Sequence, residues 1–309
     1  MKAKMEKKTR KLFRGIVPAL YTAYNKDGSV NYDTTARLAE WLVDKGAAGF
    51  YLCGSTGEGL FLTLDERRRI LETVSKRVGK RVPLMVHVGT MATRDGVELA
   101  KHAADQAGVV AISSLPPQYY SYTIEDEIDH LSAIATATEK PFFPYLFQAT
   151  VARLGTANLV PILSRIPQIG GIKAFVSDLA VHQFVIQQAP AWEVLHGYDE
   201  CLSMALVIPG IDGAIGSTYN TVPELAIGMY EAAKAGDVKT LKRLQSRFNQ
   251  YWMPMPGVKI AMFGRYLLNA RGFAMGAPRA PLKLPTAEML KNLAVAYRKS
   301  GFDIKRGGL

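Results

Sequence analysis

Runs of β-branched and aromatic residues return about every 20 to 35 positions along this chain, with stretches of helical period between them. Eight runs stand out, at 16–24, 49–54, 83–88, 109–115, 141–147, 170–175, 193–199 and 213–218. Between the first two, Leu38, Trp41 and Leu42 fall at i, i+3 and i+4. That pattern stops at Lys45-Gly46, a basic last turn followed by a glycine terminator, and predicts a helix with one buried face. After the second run, Thr63 and Glu66 have the spacing of a capping box, and Leu71, Val74 and Val78 supply the apolar stripe that follows.

Strands alternating with helices put the chain in the α/β class, and eight such units predict a (β/α)8 TIM barrel over residues 13–236. The competing arrangement, a doubly wound sheet, usually carries a glycine-rich phosphate loop, and neither GxGxxG nor GxxxxGK[ST] occurs here. From residue 237 to 309 the text turns into helix-like segments at 238–251, 258–269 and 287–299, broken by prolines, which predicts a C-terminal helical extension.

Composition narrows the function classes. With 309 residues, 48% of them hydrophobic and 21% charged, the chain can bury a large core. The formal charge of +11 raises nucleic-acid binding, but much of the excess sits in residues 1–14 and at Lys305 and Arg306, with no binding motif beside it; it equally suits an anionic small-molecule substrate. The start of the chain is basic rather than apolar and the apolar runs are short, so neither membrane insertion nor a secretion signal is expected, and the expected location is cytoplasmic. Cys53 and Cys201 form no CxxC pattern and are expected as reduced thiols. The five histidines lack metal-ligand spacing, so no metal is expected.

In a barrel of this type the chemistry lies at the C-terminal ends of the strands. Lys173 stands in the apolar run Ile169-Gly170-Gly171-Ile172-Lys173-Ala174-Phe175, where an inward lysine is costly unless used or paired; the alternative is an outward, snorkelling side chain. An ordinary lysine amine is neutral in only about one molecule in 2,500 at pH 7, so a nucleophilic one needs its charge disfavoured by burial. Gly54-Ser55-Thr56-Gly57-Glu58 reads either as a tight strand-to-helix turn or as a carboxylate cradle of hydroxyls and free N–H groups. Tyr145 reads either as core packing or as a functional hydroxyl.

Taken together, GSTGE at 54–58, Pro117-x-Tyr119-Tyr120, Tyr145, GIK at 171–173, GYDE at 197–200 and GAIGSTYN at 213–220 resemble the N-acetylneuraminate lyase and dihydrodipicolinate synthase superfamily, from Gly15 to Arg279. The resemblance implies a (β/α)8 barrel, commonly assembled as a homotetramer that is a dimer of dimers. It implies that Lys173 forms an imine with the C2 ketone of a 2-oxo acid, with no separate cofactor, and that Tyr145 carries protons. Ser55 and Thr56 match the pair that grips the pyruvyl carboxylate, Ser55 also bonding the tyrosine, and Tyr119 matches a tyrosine delivered into the neighbouring subunit's site. Gly197, Asp199, Glu200 and Ser217 match contacts to the glycerol-like tail of a sialic acid. The branch implied is cleavage of N-acetylneuraminate to N-acetylmannosamine and pyruvate, since the dihydrodipicolinate branch usually has GTTGE and an arginine where this chain has GSTGE and Thr150. Two departures concern the substrate: Phe175 stands where sialic acid lyases carry a substrate-bonding threonine, and Tyr145-Leu146-Phe147-Gln148 replaces Tyr-Asn-x-Pro. An aldolase for another 2-oxo-3-deoxy sugar acid, such as 2-oxo-3-deoxygluconate, is therefore a second expectation. A non-enzymatic ligand sensor or nucleic-acid-associated protein is the alternative from another class.

Overall fold

In the computed structural model, which describes residues 11–255 and 260–308, eight short parallel strands are joined in the order β1-β8-β7-β6-β5-β4-β3-β2. They are β1 (Gly15–Pro18), β2 (Phe50–Leu52), β3 (Leu84–His87), β4 (Val109–Ser114), β5 (Phe142–Phe147), β6 (Gly171–Phe175), β7 (Glu193–His196) and β8 (Gly213–Gly216). The two ends of this order meet through an Ala19–Tyr51 bridge and an Ala48 N–H to Ile16 carbonyl bond of 2.8 Å, so the sheet curls into the expected barrel. Outside it lie α1 (Tyr32–Asp44), α2 (Leu64–Val78), α3 (Thr93–Ala104), α4 (Ile124–Ala135), α5 (Gln148–Leu154), α6 (Leu159–Leu163), α7 (Leu179–Gln188), α8 (Leu202–Leu206) and α9 (Pro223–Lys234).

The helix starts follow local chemistry. Thr63 and Glu66 form the reciprocal capping box that begins α2, and Thr123 with Asp126 forms another at α4. Each such cap is worth about 1 kcal/mol. Helix α1 begins at Asn31, whose side chain accepts from Thr34 N–H, and gives way after Lys45 to Gly46 at φ 102°.

Period-two alternation then decides which side chains enter the barrel. Phe143, Tyr145 and Phe147 of β5 point inward, while Phe142 and Leu146 pack outward in the layer between sheet and helices. On β6, Ile172 and Ala174 belong to that outer layer, which turns Lys173 and Phe175 inward. Val17, Tyr51, Met85, Ala111, Phe143, Leu195 and Ile215 fill the interior from seven different strands, so the barrel is a packed core beneath an open mouth.

Four expected strands end two or more residues early, the second of them after Leu52. The run from 16 leaves the sheet after Pro18, because Thr22 bonds the Gly57 carbonyl at 2.7 Å and Tyr24 N–H the Met275 carbonyl at 3.0 Å, tying this segment to the β2 turn and to the extension instead. Asp199 and Thr218, expected at the ends of the seventh and eighth strands, fall in 3-10 turns. Those turns swing polar groups over the mouth, which continued strands would not.

Beyond the barrel come α10 (Val238–Trp252), α11 (Ile260–Ala270) and α12 (Ala287–Ser300); residues 258–259 of the expected middle helix, and residues 1–10 of the basic start, lie outside the described residues. Leu244 and Phe248 of α10, Phe263 of α11 and Tyr297 of α12 share one apolar cluster with Met229 of α9 and Ile16 of β1. The extension is thus built onto the barrel wall rather than beside it. Among the described residues no helix is long and apolar enough to cross a membrane.

Candidate active site

A cleft of about 580 Å³ opens at the C-terminal ends of the strands, and Lys173 is at its base. The side chain is 4% exposed, and its Nζ stands 3.7 Å from the Tyr145 ring centroid and 3.9 Å from that of Tyr51. The rings have opposite origins in the sequence: Tyr145 is the direct register partner of Lys173 across β5–β6, whereas Tyr51 reaches in from β2, held by a 3.1 Å bond between its hydroxyl and Ser113. Burial disfavours the ammonium and lowers the lysine to about 7, with the negative charge of Asp199 opposing it. Desolvation outweighs that charge. An amine at about 7 is half neutral at pH 7, roughly a thousandfold more than an ordinary lysine offers.

Tyr145 is buried and shifted above the usual phenol range, first by desolvation and then by Asp199, with Ser55 pulling it back. It therefore holds its proton firmly and can donate it to a neighbouring oxyanion before recovering it. Ser55 and Thr56 line the cleft beside it, on the turn after β2.

Asp199, 5% exposed, accepts on Oδ2 from the Thr218 N–H at 2.9 Å and the Thr218 hydroxyl at 2.7 Å, with Ser217 Oγ at 3.5 Å. Its Oδ1 has no protein partner. That oxygen rests against Gly216, where an added Cβ would lie 2.0 Å away, so only glycine admits the carboxylate. Desolvation raises Asp199 to about 7 against the pull of the Thr218 bonds. Gly197, Glu200 and Ser217 line the same side, and Glu200 is also raised by burial.

The turn that carries Ser55 and Thr56 is bounded by two non-glycine residues in the left-handed region, Cys53 at φ 56° and Glu58 at φ 58°. Such positions cost about 1–3 kcal/mol and persist only when the surroundings over-determine them. Here the Glu58 carboxylate accepts from Arg265 Nε at 2.9 Å and Nη2 on one oxygen, and from the Arg279 N–H at 3.0 Å on the other. Arg265 is 1% exposed and also donates to the Met275 carbonyl. The extension thereby clamps the turn from behind.

The structure brings together Lys173, Tyr145, Ser55, Thr56, Phe175, Gly197, Asp199, Glu200 and Ser217 in one cleft. It does not bring in Tyr119, which is 79% exposed and stacks edge-on with Tyr120 at 4.9 Å. Sequence reasoning missed Tyr51, Phe147, Tyr198, Trp252 and Met255. Tyr51 and Phe147 were within reach, being inward positions of runs already recognised; Trp252 and Met255 arrive from the end of α10 with no local signal. Among the described residues no group of three or more histidine, cysteine or acidic side chains could hold a metal ion.

A sequence profile of the dihydrodipicolinate synthetase family matches residues 12–299. The N-acetylneuraminate lyase of Rhizobium meliloti (strain 1021) is 34% identical over 269 residues, covering 87% of this chain and 89% of that protein. The N-acetylneuraminate lyase of Lactiplantibacillus plantarum is 30% identical over 282 residues, covering 91% and 96%. The wild-type sialic acid aldolase of Ruminococcus gnavus superposes with a TM-score of 0.88 at 28% identity, over 97% of this chain and all of that one. A catalytic lysine mutant of the same aldolase superposes at 0.87.

Proposed function

This chain is a member of the dihydrodipicolinate synthetase family, and on that premise we propose that it is a class I aldolase which cleaves N-acetylneuraminate to N-acetylmannosamine and pyruvate through an imine on Lys173. The observation that carries this reading is the buried Lys173 amine, lowered to about 7 and held between two tyrosine rings at the base of an open cleft. The neutral amine attacks the C2 ketone; Tyr145 returns a proton to the carbinolamine oxygen, which leaves as water. The resulting protonated imine draws the C3–C4 bonding electrons toward nitrogen as Tyr145 takes the proton of the C4 hydroxyl. The aldehyde departs, the enamine is protonated at C3, and water releases pyruvate and regenerates the amine. No separate cofactor enters this sequence.

Ser55 and Thr56 hold the pyruvyl carboxylate in this reading, with the sugar tail along Gly197, Asp199, Glu200 and Ser217 and against Phe175. Tyr119 completes the relay of a neighbouring subunit in a homotetramer, which accords with its exposure on this chain. A cytoplasmic location accords with the two free cysteines. One observation favours the second substrate reading, a 2-oxo-3-deoxy sugar acid other than N-acetylneuraminate: the wall at Phe147 and Phe175 is aromatic and offers no hydrogen-bond partner to a polyol.

Borohydride reduction with pyruvate is expected to add an irreversible mass to Lys173, and N-acetylneuraminate to release pyruvate. Tyr145→Phe should keep the trapping step measurable while slowing cleavage about a hundredfold or more. Labelling at another residue would remove the imine; absent cleavage of N-acetylneuraminate alongside normal trapping would remove only the substrate.

A further inference from the structure

Two rungs of side chains line the β5–β6 side of the cleft. The lower rung is Tyr145 and Lys173, the reacting pair; the register then sets Phe147 directly opposite Phe175 one pleat nearer the mouth, about 7 Å further along the strands. Any substrate joined to Lys173 at C2 and extending toward solvent must pass this upper rung. Its rings continue one another: Tyr145 to Phe147 at 4.4 Å, Phe147 to Phe175 at 5.8 Å, Phe175 to Tyr198 at 5.2 Å. Trp252 and Met255 add apolar surface from the end of α10, and the Trp252 indole N–H is already spent on Asn249 at 3.2 Å. The hydrogen-bonding groups stand on the adjoining arc, at Asp199, Glu200 and Ser217 beyond β7 and β8.

We propose that the Phe147–Phe175–Tyr198 wall is an apolar subsite, and that the preferred substrate is a 2-oxo-3-deoxy sugar acid bearing a bulky acyl or aryl substituent on the carbon chain beyond C4. This rests on the imine chemistry proposed above and specifies what the site selects. A chain of hydroxyls satisfies only the β7–β8 arc; a hydroxyl turned toward the Phe147 and Phe175 rings loses its water and gains no partner. Phe175 is 37% exposed at the mouth, an apolar ring that solvent covers poorly and an acyl or phenyl group covers well. The cleft therefore asks for a ligand with one polar and one apolar edge.

The test compares condensation of pyruvate with N-acetylmannosamine and with N-phenylacetylmannosamine, in wild type, Phe175→Thr and Phe147→Asn. Wild type should favour the phenylacetyl compound by about tenfold in kcat/KM, the scale on which a pocket separates ligands by apolar bulk. Both substitutions should bring that ratio to one or below. Both residues are partly exposed, and matching circular dichroism melts confirm that the variants fold. Borohydride trapping of pyruvate alone, run on every variant, separates the two readings. Normal trapping with a wild-type preference for the acetyl compound, or with a ratio that neither substitution moves, overturns the subsite and leaves the imine standing; failure of wild type to trap pyruvate overturns both.

Discussion

Arg265→Met should damage both stability and pyruvate binding, although Arg265 is no part of the cleft lining. In the native protein two Arg265 nitrogens serve one Glu58 oxygen and a third bonds the Met275 carbonyl, with the guanidinium 4.8 Å above the Tyr24 ring. The side chains of Arg265 and Glu58 are 1% and 4% exposed. Methionine keeps much of the volume and removes the charge, leaving Glu58 buried with one N–H donor, that of Arg279. Breaking one side of a buried pair costs about 3–5 kcal/mol, because the remaining charge stays desolvated. Equilibrium denaturation in urea reads that loss as a lower midpoint at unchanged slope. Glu58→Gln in the same chain should recover a large part of it by removing the stranded charge, and the double-mutant cycle isolates the coupling. The second readout is local: without its clamp the left-handed Glu58 relaxes, and the half-saturating pyruvate concentration in borohydride trapping should rise several-fold as Ser55 and Thr56 shift. A loss below about 1 kcal/mol would refute the burial argument. A full loss of stability with unchanged pyruvate half-saturation would refute the claim that the extension positions the turn.

Three further outcomes are expected. Imine formation needs the neutral amine, so the trapping rate should climb as pH rises through about 7 and level off above it, falling roughly tenfold per pH unit on the acid side. Asp199 holds Lys173 up, so Asp199→Asn should move that midpoint to lower pH, and a wild-type midpoint near that of free lysine would contradict the burial argument. Tyr119→Phe mixed with Lys173→Ala under subunit exchange should regain activity in hybrid assemblies, since one variant keeps the lysine and the other the tyrosine; confirmed exchange without recovery would take Tyr119 out of the neighbour's site.

The barrel was legible because its signal is repeated and local. Each βα unit announces a strand by a short apolar run and a helix by a cap and a stripe, and at α2 the box of Thr63 and Glu66 formed as its spacing required. Strand ends were harder. The seventh and eighth runs extend in the sequence past His196 and Gly216, since Tyr198 and Thr218 are strand-forming residues. What bends them is tertiary: Asp199 is captured by Thr218 from the next strand's turn, a contact across 19 residues.

Lys173 was legible through conflict rather than pattern, a cation in a run that otherwise belongs inside a sheet, and parity along β6 resolves the conflict by sending Ile172 and Ala174 outward and the lysine inward. The same parity, applied to β2 and β5, would have found Tyr51 and Phe147, since both share the inward face of runs already recognised. No such rule reaches Arg265. It bonds Glu58 across 207 residues, in a helix whose own period marks it only as a polar position among apolar ones, where an arginine ordinarily faces water. Its burial becomes intelligible once the turn it holds is seen to be strained at Cys53 and Glu58. A six-residue turn from Cys53 to Glu58, after a three-residue strand, has too few contacts of its own to hold two left-handed side-chain-bearing residues, so the fixing must come from elsewhere in the chain. That gives the extension a reason to be where it is: α10 contributes Trp252 to the cleft wall, and α11 contributes the cation that keeps Ser55 and Thr56 in place beneath it.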